Sequence, residues 1–149
     1  VGKGTVFTVY IPVSRQITYE RTNEGVIGGT ESVLIVDDDQ FQQKVTGEQL
    51  RFLGYRVETV ASGEEAVAFL KEHDVDLVIL DMIMPQGIDG AESYRRIKEI
   101  RPGQKTIFFS GFSESDRVKE AQQLGAGAYL RKPLTLKKLA QAVRHELDG

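Results

Sequence analysis

The chain has 149 residues, a mass of 16.6 kDa and a formal net charge of −3, and this length fits one domain. Its globular apolar content excludes a disordered chain, its slight acidity excludes a general nucleic-acid binder, and its lack of cysteine excludes disulfides and thiol catalysis. The sequence contains neither a membrane-spanning apolar run nor a leader pattern, so we expect a cytoplasmic protein without membrane contact.

The first thirty residues differ in pattern from the rest of the chain. The sequence starts with Val rather than Met, and we expect it to be a piece of a longer protein. Residues 6–11 alternate between a strongly apolar face and a mixed one, which predicts a strand that ends at Pro12. Residues 15–30 have little periodicity and contain Gly28-Gly29, which is typical of a linker. An isolated strand exposes an unpaired edge, so residues 1–14 could support a homo-oligomer.

From Ser32 onward, short apolar strands alternate with helical segments. The runs 33–36, 77–80 and 106–109 are almost entirely apolar, which is typical of parallel strands covered on both faces. Helical spacing and a capping box at Ser62–Glu65 mark the segments between them. Five strands alternating with five helices predict a doubly wound α/β domain with right-handed crossovers. The remaining predicted strands are 56–60 and 128–131, and the helices are 40–53, a segment from Ser62, 89–101, 115–124 and a segment around 136–147.

Polar side chains occur directly after the predicted strands. Parallel strands bring their carboxyl ends to one edge of the sheet, where ligands bind. We therefore expect these side chains to converge in one crevice, although Asp39 also fits an ordinary helix N-terminus. The residues in question are Asp37, Asp38, Asp39, Asp81, Ser110 and Lys132.

A group of carboxylates at that edge needs compensation of its charge. Two carboxylates about 4 Å apart repel by roughly 4 kcal/mol at an effective dielectric constant of 20. Either one acid is protonated or a divalent cation binds, and oxygen ligands favour Mg²⁺ over Mn²⁺ or Ca²⁺. An aspartate beside a hard cation and a lysine can attack phosphorus. Asp81 would then be the nucleophile, with Lys132 and Ser110 contacting the phosphoryl oxygens.

These residues resemble the receiver domain of two-component response regulators. The resemblance covers residues 31–149 and implies a flavodoxin-like sheet of strand order 2-1-3-4-5 with helices on both faces. It also implies a phosphoacceptor signalling module, not an enzyme, which catalyses only its own phosphorylation and dephosphorylation. The implied phosphoryl donor is a histidine kinase or a histidine phosphotransfer domain. The motifs are Val36-Asp-Asp-Asp39, Leu80-Asp-Met-Ile-Met-Pro85, Asp89-Gly90, Ser110-Gly111 and Tyr129-Leu-Arg-Lys-Pro133.

The resemblance also assigns roles to single residues. Asp81 would accept the phosphoryl group, Asp38 would bind Mg²⁺ directly, and Asp37 would bind it partly through water. The backbone carbonyl of Ile83 would complete the protein ligands. Lys132 would pair with the phosphoryl group, and Ser110 and Tyr129 would form the conformational switch that follows phosphorylation.

The loop after the Met84-Pro85 pair departs from the usual receiver pattern. Gln86-Gly87-Ile88 precedes Asp89, which is one residue more than the family normally has. Gly87 can adopt a positive φ and accommodate the extra residue. Apolar Ile83 and Phe112 flank the predicted site, and we expect them to hinder water and slow self-dephosphorylation.

The opening residues carry a second resemblance. Gly2-Lys-Gly-Thr5, Phe7 and Ile11-Pro12 are similar to the last glycine box and final strand of the ATP-binding domain of sensor histidine kinases. Residues 1–14 would be a remnant of that domain and 15–30 a linker to the receiver, so the parent would be a hybrid kinase. The other nucleotide-binding elements are missing, and we do not expect this chain to bind ATP.

Two other functions remain open from the sequence. An aspartate-nucleophile phosphatase has a similar topology, but its second aspartate would stand at the position of Ile83. A flavodoxin-like cofactor binder would need a phosphate-binding loop after the first strand, where this chain has three acids. His145 could resemble a phosphoacceptor histidine, but the helical pattern places it on the exposed face.

Overall fold

The structure is a computed structural model, and it describes residues 27–82, 84–85, 87–110, 129–131 and 135–149. The predicted strand at 6–11, most of the linker and the predicted helix at 115–124 lie outside these residues. The described strands are β1 (Ser32–Val36), β2 (Arg56–Val60), β3 (Leu77–Asp81), β4 (Thr106–Ser110) and β5 (Tyr129–Arg131), and the helices are α1 (Gln40–Phe52), α2 (Gly63–Glu72), α3 (Gly90–Ile100) and α4 (Leu136–Asp148).

The five strands form one parallel sheet of order β2-β1-β3-β4-β5. Strands β1 and β3 lie inside the sheet, and apart from Ser32 all their residues are buried, because helices cover both faces. The predicted fold class and strand order are therefore confirmed.

Two hydrophobic clusters fill the space on either side of the sheet. On one face, Leu34, Leu80 and Phe108 pack against α2 and α3. On the other face, Ile35 and Ile79 pack against α1 and α4. Alternate residues of each central strand thus serve opposite cores. Among the described helices, none is long and apolar enough to cross a membrane.

Each described helix starts at a side chain that accepts a hydrogen bond from the first turn. In the predicted capping box, Ser62 Oγ accepts a bond from the Glu65 backbone N–H at 3.1 Å. The Glu65 carboxylate reaches back to the Ala61 N–H at 3.2 Å, one residue earlier than the usual partner. These caps fix where each helix leaves the carboxyl edge of the sheet. The four capping residues are Asp39, Ser62, Asp89 and Thr135.

Candidate metal centre at the carboxyl edge of the sheet

Three carboxylates meet where β1 and β3 end. Val36 pairs with Leu80 in the sheet, so the residues that follow them, Asp37 and Asp81, come out side by side. Asp37, Asp38 and Asp81 each offer a carboxylate oxygen, and these three oxygens all lie within 4.8 Å of one another. The convergence predicted for the three acids is therefore present.

The burial of the three side chains differs. Asp37 is 4% exposed and Asp81 7% exposed, whereas Asp38 is exposed. Asp37 Oδ1 accepts a hydrogen bond from the Asp39 backbone N–H at 2.9 Å, which orients that carboxylate. The cluster therefore has two acids withdrawn from water and a third on its solvent-exposed side.

The donor set suits a hard divalent cation. All three ligands are carboxylate oxygens, which Mg²⁺ and Ca²⁺ prefer. Three carboxylate oxygens within 4.8 Å of one another are close enough for one such ion to bind all of them. A divalent cation would also offset the repulsion between the negative charges.

Asp39 has a different task from its two neighbours. Its carboxylate accepts a bond from the Phe41 N–H at 2.9 Å and a longer one from the Gln42 N–H at 3.4 Å, at the start of α1. The interpretation of Asp39 as a helix cap is confirmed. The Gln43 side-chain amide, in the first turn of α1, donates to the backbone carbonyls of Asp37 and Val60 and so connects the ends of β1 and β2.

The other predicted site residues are placed only in part. Asp81 pairs with Phe109, so Ser110 ends β4 one residue further along on the neighbouring strand, and Tyr129 starts β5. The structure describes the backbone of Ser110 and Tyr129 but not their side chains. Ile83 and Lys132 lie outside the described residues, and their roles stay predictions.

The loop between β3 and α3 shows how the extra residue is accommodated. Gly87 has φ +78°, as predicted, a conformation that favours glycine. Gly90 donates its N–H to the Met82 carbonyl at 3.2 Å. A Cβ on Gly90 would lie 2.6 Å from the Asp81 carbonyl oxygen, so only glycine lets α3 start this close to the end of β3.

One contact of this loop has no counterpart among the sequence predictions. Glu64, in the first turn of α2, accepts a hydrogen bond from the Ile88 backbone N–H at 3.3 Å. In the sequence, Glu64 is only one of the residues of the capping box. Acids are common in the first turn of a helix because they interact favourably with the helix dipole, so Glu64 does not by itself indicate a contact with a loop. The only sequence feature that could have drawn attention to this contact is the unusual length of the loop.

The profile of the response regulator receiver domain family matches residues 33–144. The chain belongs to this family. The resemblance to receiver domains is thereby confirmed. Receiver domains are phosphoacceptor signalling modules, and this chain is one of them. The match supports this function over the phosphatase interpretation.

Three similar proteins illustrate the range of the family. The chain is 31% identical to the sensor kinase CckA of Brucella abortus over 163 aligned positions, which cover 99% of this chain and 17% of that kinase. It is 32% identical to sporulation initiation phosphotransferase F of Bacillus subtilis, covering 78% of this chain and 94% of that protein. A structure of the CheX–CheY–BeF₃–Mg²⁺ complex from Borrelia burgdorferi shares 34% identity with a TM-score of 0.72, over 77% of this chain and 87% of that one.

Proposed function

We propose that Asp81 accepts a phosphoryl group from a phosphohistidine, with Mg²⁺ held by Asp37, Asp38, Asp81 and the backbone carbonyl of Ile83. The observation that carries this proposal is the group of three carboxylate oxygens within 4.8 Å of one another at the carboxyl edge of the sheet. The similar CheX–CheY complex from Borrelia burgdorferi contains Mg²⁺, which supports the choice of ion.

In the proposed transfer, Asp81 is the nucleophile. A carboxylate oxygen of Asp81 forms a bond to phosphorus while the P–N bond of the phosphohistidine breaks, and the imidazole nitrogen keeps the electron pair and takes up a proton. Mg²⁺, when bound, would supply positive charge that stabilises the phosphoryl oxygens. Lys132 would neutralise a second oxygen, and Ser110 would donate a hydrogen bond to the third.

The acyl phosphate would then act as a switch. A phosphoryl group adds negative charge and strong acceptors beside β4 and β5. Ser110 would move toward it and Tyr129 would turn inward, which changes the surface offered to a partner. The partner would be a histidine kinase or a histidine phosphotransfer domain in the cytoplasm. We expect slow self-dephosphorylation because Ile83 and Phe112 would hinder water.

The direct test is incubation with acetyl phosphate and Mg²⁺, followed by intact mass measurement. The wild-type chain should gain one phosphoryl group, and Asp81→Asn should gain none. Asp39→Asn is a matched control, because asparagine caps helices as well as aspartate does, and it should be phosphorylated like the wild type. Equal phosphorylation of Asp81→Asn and wild type would refute the assignment of Asp81.

The arrangement in a longer protein is a separate proposal. Residues 1–14 would be the last strand of a histidine-kinase ATP-binding domain, and 15–30 a linker to the receiver at 31–149. The alignment with CckA supports this, since it covers 99% of this chain. Light scattering of the whole chain against a version starting at Glu31 tests whether residues 1–14 cause association, and equal association states for the two would contradict it.

A further inference from the structure

The loop between β3 and α3 borders the carboxylate cluster and has one residue more than is usual. Its first residue, Met82, follows Asp81 directly, and both Met82 and Met84 are buried. The loop also contains the position whose carbonyl would bind Mg²⁺. Its placement therefore affects how well the site is formed.

Glu64 lies against the part of the loop that the extra residue changes. Its carboxylate accepts the hydrogen bond from the Ile88 N–H. A Cβ on Gly87 would come 2.8 and 2.9 Å from the two Glu64 oxygens, so the carboxylate sits directly over the Gly87–Ile88 backbone. At φ +78°, Gly87 turns the chain so that the next N–H points at that carboxylate.

The start of α2 is held firmly enough to serve as an anchor. At Gly63, a Cβ would lie 1.8 Å from Ser93 Oγ and 2.8 Å from Ile88 Cγ1, so α2 packs without a gap against α3 and the loop. Ser93 itself is fully buried, and its hydroxyl donates to the Asp89 carbonyl at 2.6 Å. Glu64 therefore projects from a rigid helix start toward a loop whose other side is fixed by α3.

We propose that Glu64 is a positioning residue for the metal site, because its carboxylate fixes the lengthened loop beside the three aspartates. This inference rests on the proposed function, since it concerns the same Mg²⁺ site. Glu64 is not a ligand in this proposal, and it acts only through the backbone of Gly87 and Ile88.

Three variants separate the hydrogen bond from the charge and from the helix. Glu64→Ala removes the acceptor. Glu64→Gln keeps an acceptor oxygen but removes the charge. Glu72→Ala removes an exposed acid from the other end of α2. Amide hydrogen exchange at Ile88 reports the contact, and calorimetric titration with Mg²⁺ reports the site.

We expect Glu64→Ala to speed exchange at Ile88 and to raise the Mg²⁺ dissociation constant, each by about threefold to tenfold, as loss of one hydrogen bond does. Glu64→Gln should stay within about twofold of the wild type, and Glu72→Ala should match it. Wild-type values for Glu64→Ala would overturn the inference, and so would equal effects of Glu64→Ala and Glu64→Gln, because charge alone would then explain them.

Failure of this inference is distinguishable from failure of the proposed function. If the wild type binds Mg²⁺ and takes up a phosphoryl group while Glu64→Ala binds Mg²⁺ equally well, only the role of Glu64 is refuted. If the wild type binds no Mg²⁺, both proposals fail together.

Discussion

Replacing Glu31 by Gln tests an ion pair that joins the start of the receiver to its last helix. Arg144 of α4 donates to both Glu31 oxygens, at 3.1 and 2.6 Å. The same guanidinium donates to the Gly28 carbonyl at 3.2 Å and to Asp148. Arginine holds such a two-point geometry with little loss of side-chain freedom, so we expect this pair to contribute more than an ordinary surface ion pair.

The magnitude follows from the pKa of Glu31. The hydrogen bond from Arg144 lowers this pKa from 4.5 to about 2. A change of that size corresponds to at most about 3 kcal/mol of stability. Because 30% of the Glu31 side chain is exposed, solvent weakens the interaction, and we expect Glu31→Gln to lower the free energy of unfolding by about 1–2 kcal/mol at pH 7.

The pH dependence has a definite direction. A lowered carboxyl pKa contributes stability that is fully present above the unfolded-state pKa of 4.5 and is lost as pH falls through the folded-state pKa of about 2. The difference between wild type and Glu31→Gln should therefore shrink as pH falls from about 5. Urea unfolding followed by circular dichroism is the assay, since the chain contains no tryptophan. A difference that stays constant between about pH 7 and about pH 3 would refute the reasoning.

A double-mutant cycle isolates the pair itself. Glu31→Gln and Arg144→Gln should show a coupling energy of about 1–2 kcal/mol. Glu92 and Arg96 form a matched control pair on α3, with Nε to Oε2 at 3.0 Å, and an exposed helical pair of this kind should couple by at most about 0.5 kcal/mol. Equal coupling energies in the two pairs would mean that the two-point geometry of Arg144 adds no stability beyond that of an ordinary surface ion pair.

Three further predictions concern the site and its supports. Asp37→Asn should raise the metal-free stability by about 1–2 kcal/mol, because two charges within 4.8 Å of each other repel by more than about 3 kcal/mol at an effective dielectric constant of 20. Thermal unfolding should also show that Mg²⁺ no longer stabilises this variant. Gly63→Ala should cost about 1–3 kcal/mol in urea unfolding, since its methyl group overlaps Ser93. Asp39→Ala should cost about 1 kcal/mol, and Asp39→Asn much less, in the same measurement.

The sequence predicts those features of the fold that depend on residues close together in the chain. Strand β2 has the bounds that the sequence predicts, and the cap at Ser62 follows from four consecutive residues. The acids are recognisable because each follows a buried strand, and the sheet topology then brings Asp37 and Asp81 together. No distance has to be known for that step, because parallel strands share one carboxyl edge.

The sequence does not predict contacts between distant residues that belong to no recognisable motif. Glu64 and Ile88 are 24 positions apart, and Glu31 and Arg144 are 113 positions apart. Glutamates and arginines are common in any sequence, and a backbone N–H carries no mark of its residue type, so nothing in the sequence pairs these residues. Both contacts depend on how α2 and α4 pack, which only the structure shows.

The three consecutive aspartates have the same side chain but different surroundings, because each occupies a different position at the edge of the sheet. Asp37 directly follows a buried strand, so its carboxylate is withdrawn from water beside Asp81. Asp39 is two residues further, where the chain turns into α1, and its carboxylate caps the helix while its N–H holds Asp37. Asp38 lies between them on the open side. An isosteric amide should therefore keep the helix cap at residue 39, where only an acceptor is needed, whereas at residue 37 it would remove the negative charge on which the proposed Mg²⁺ site depends.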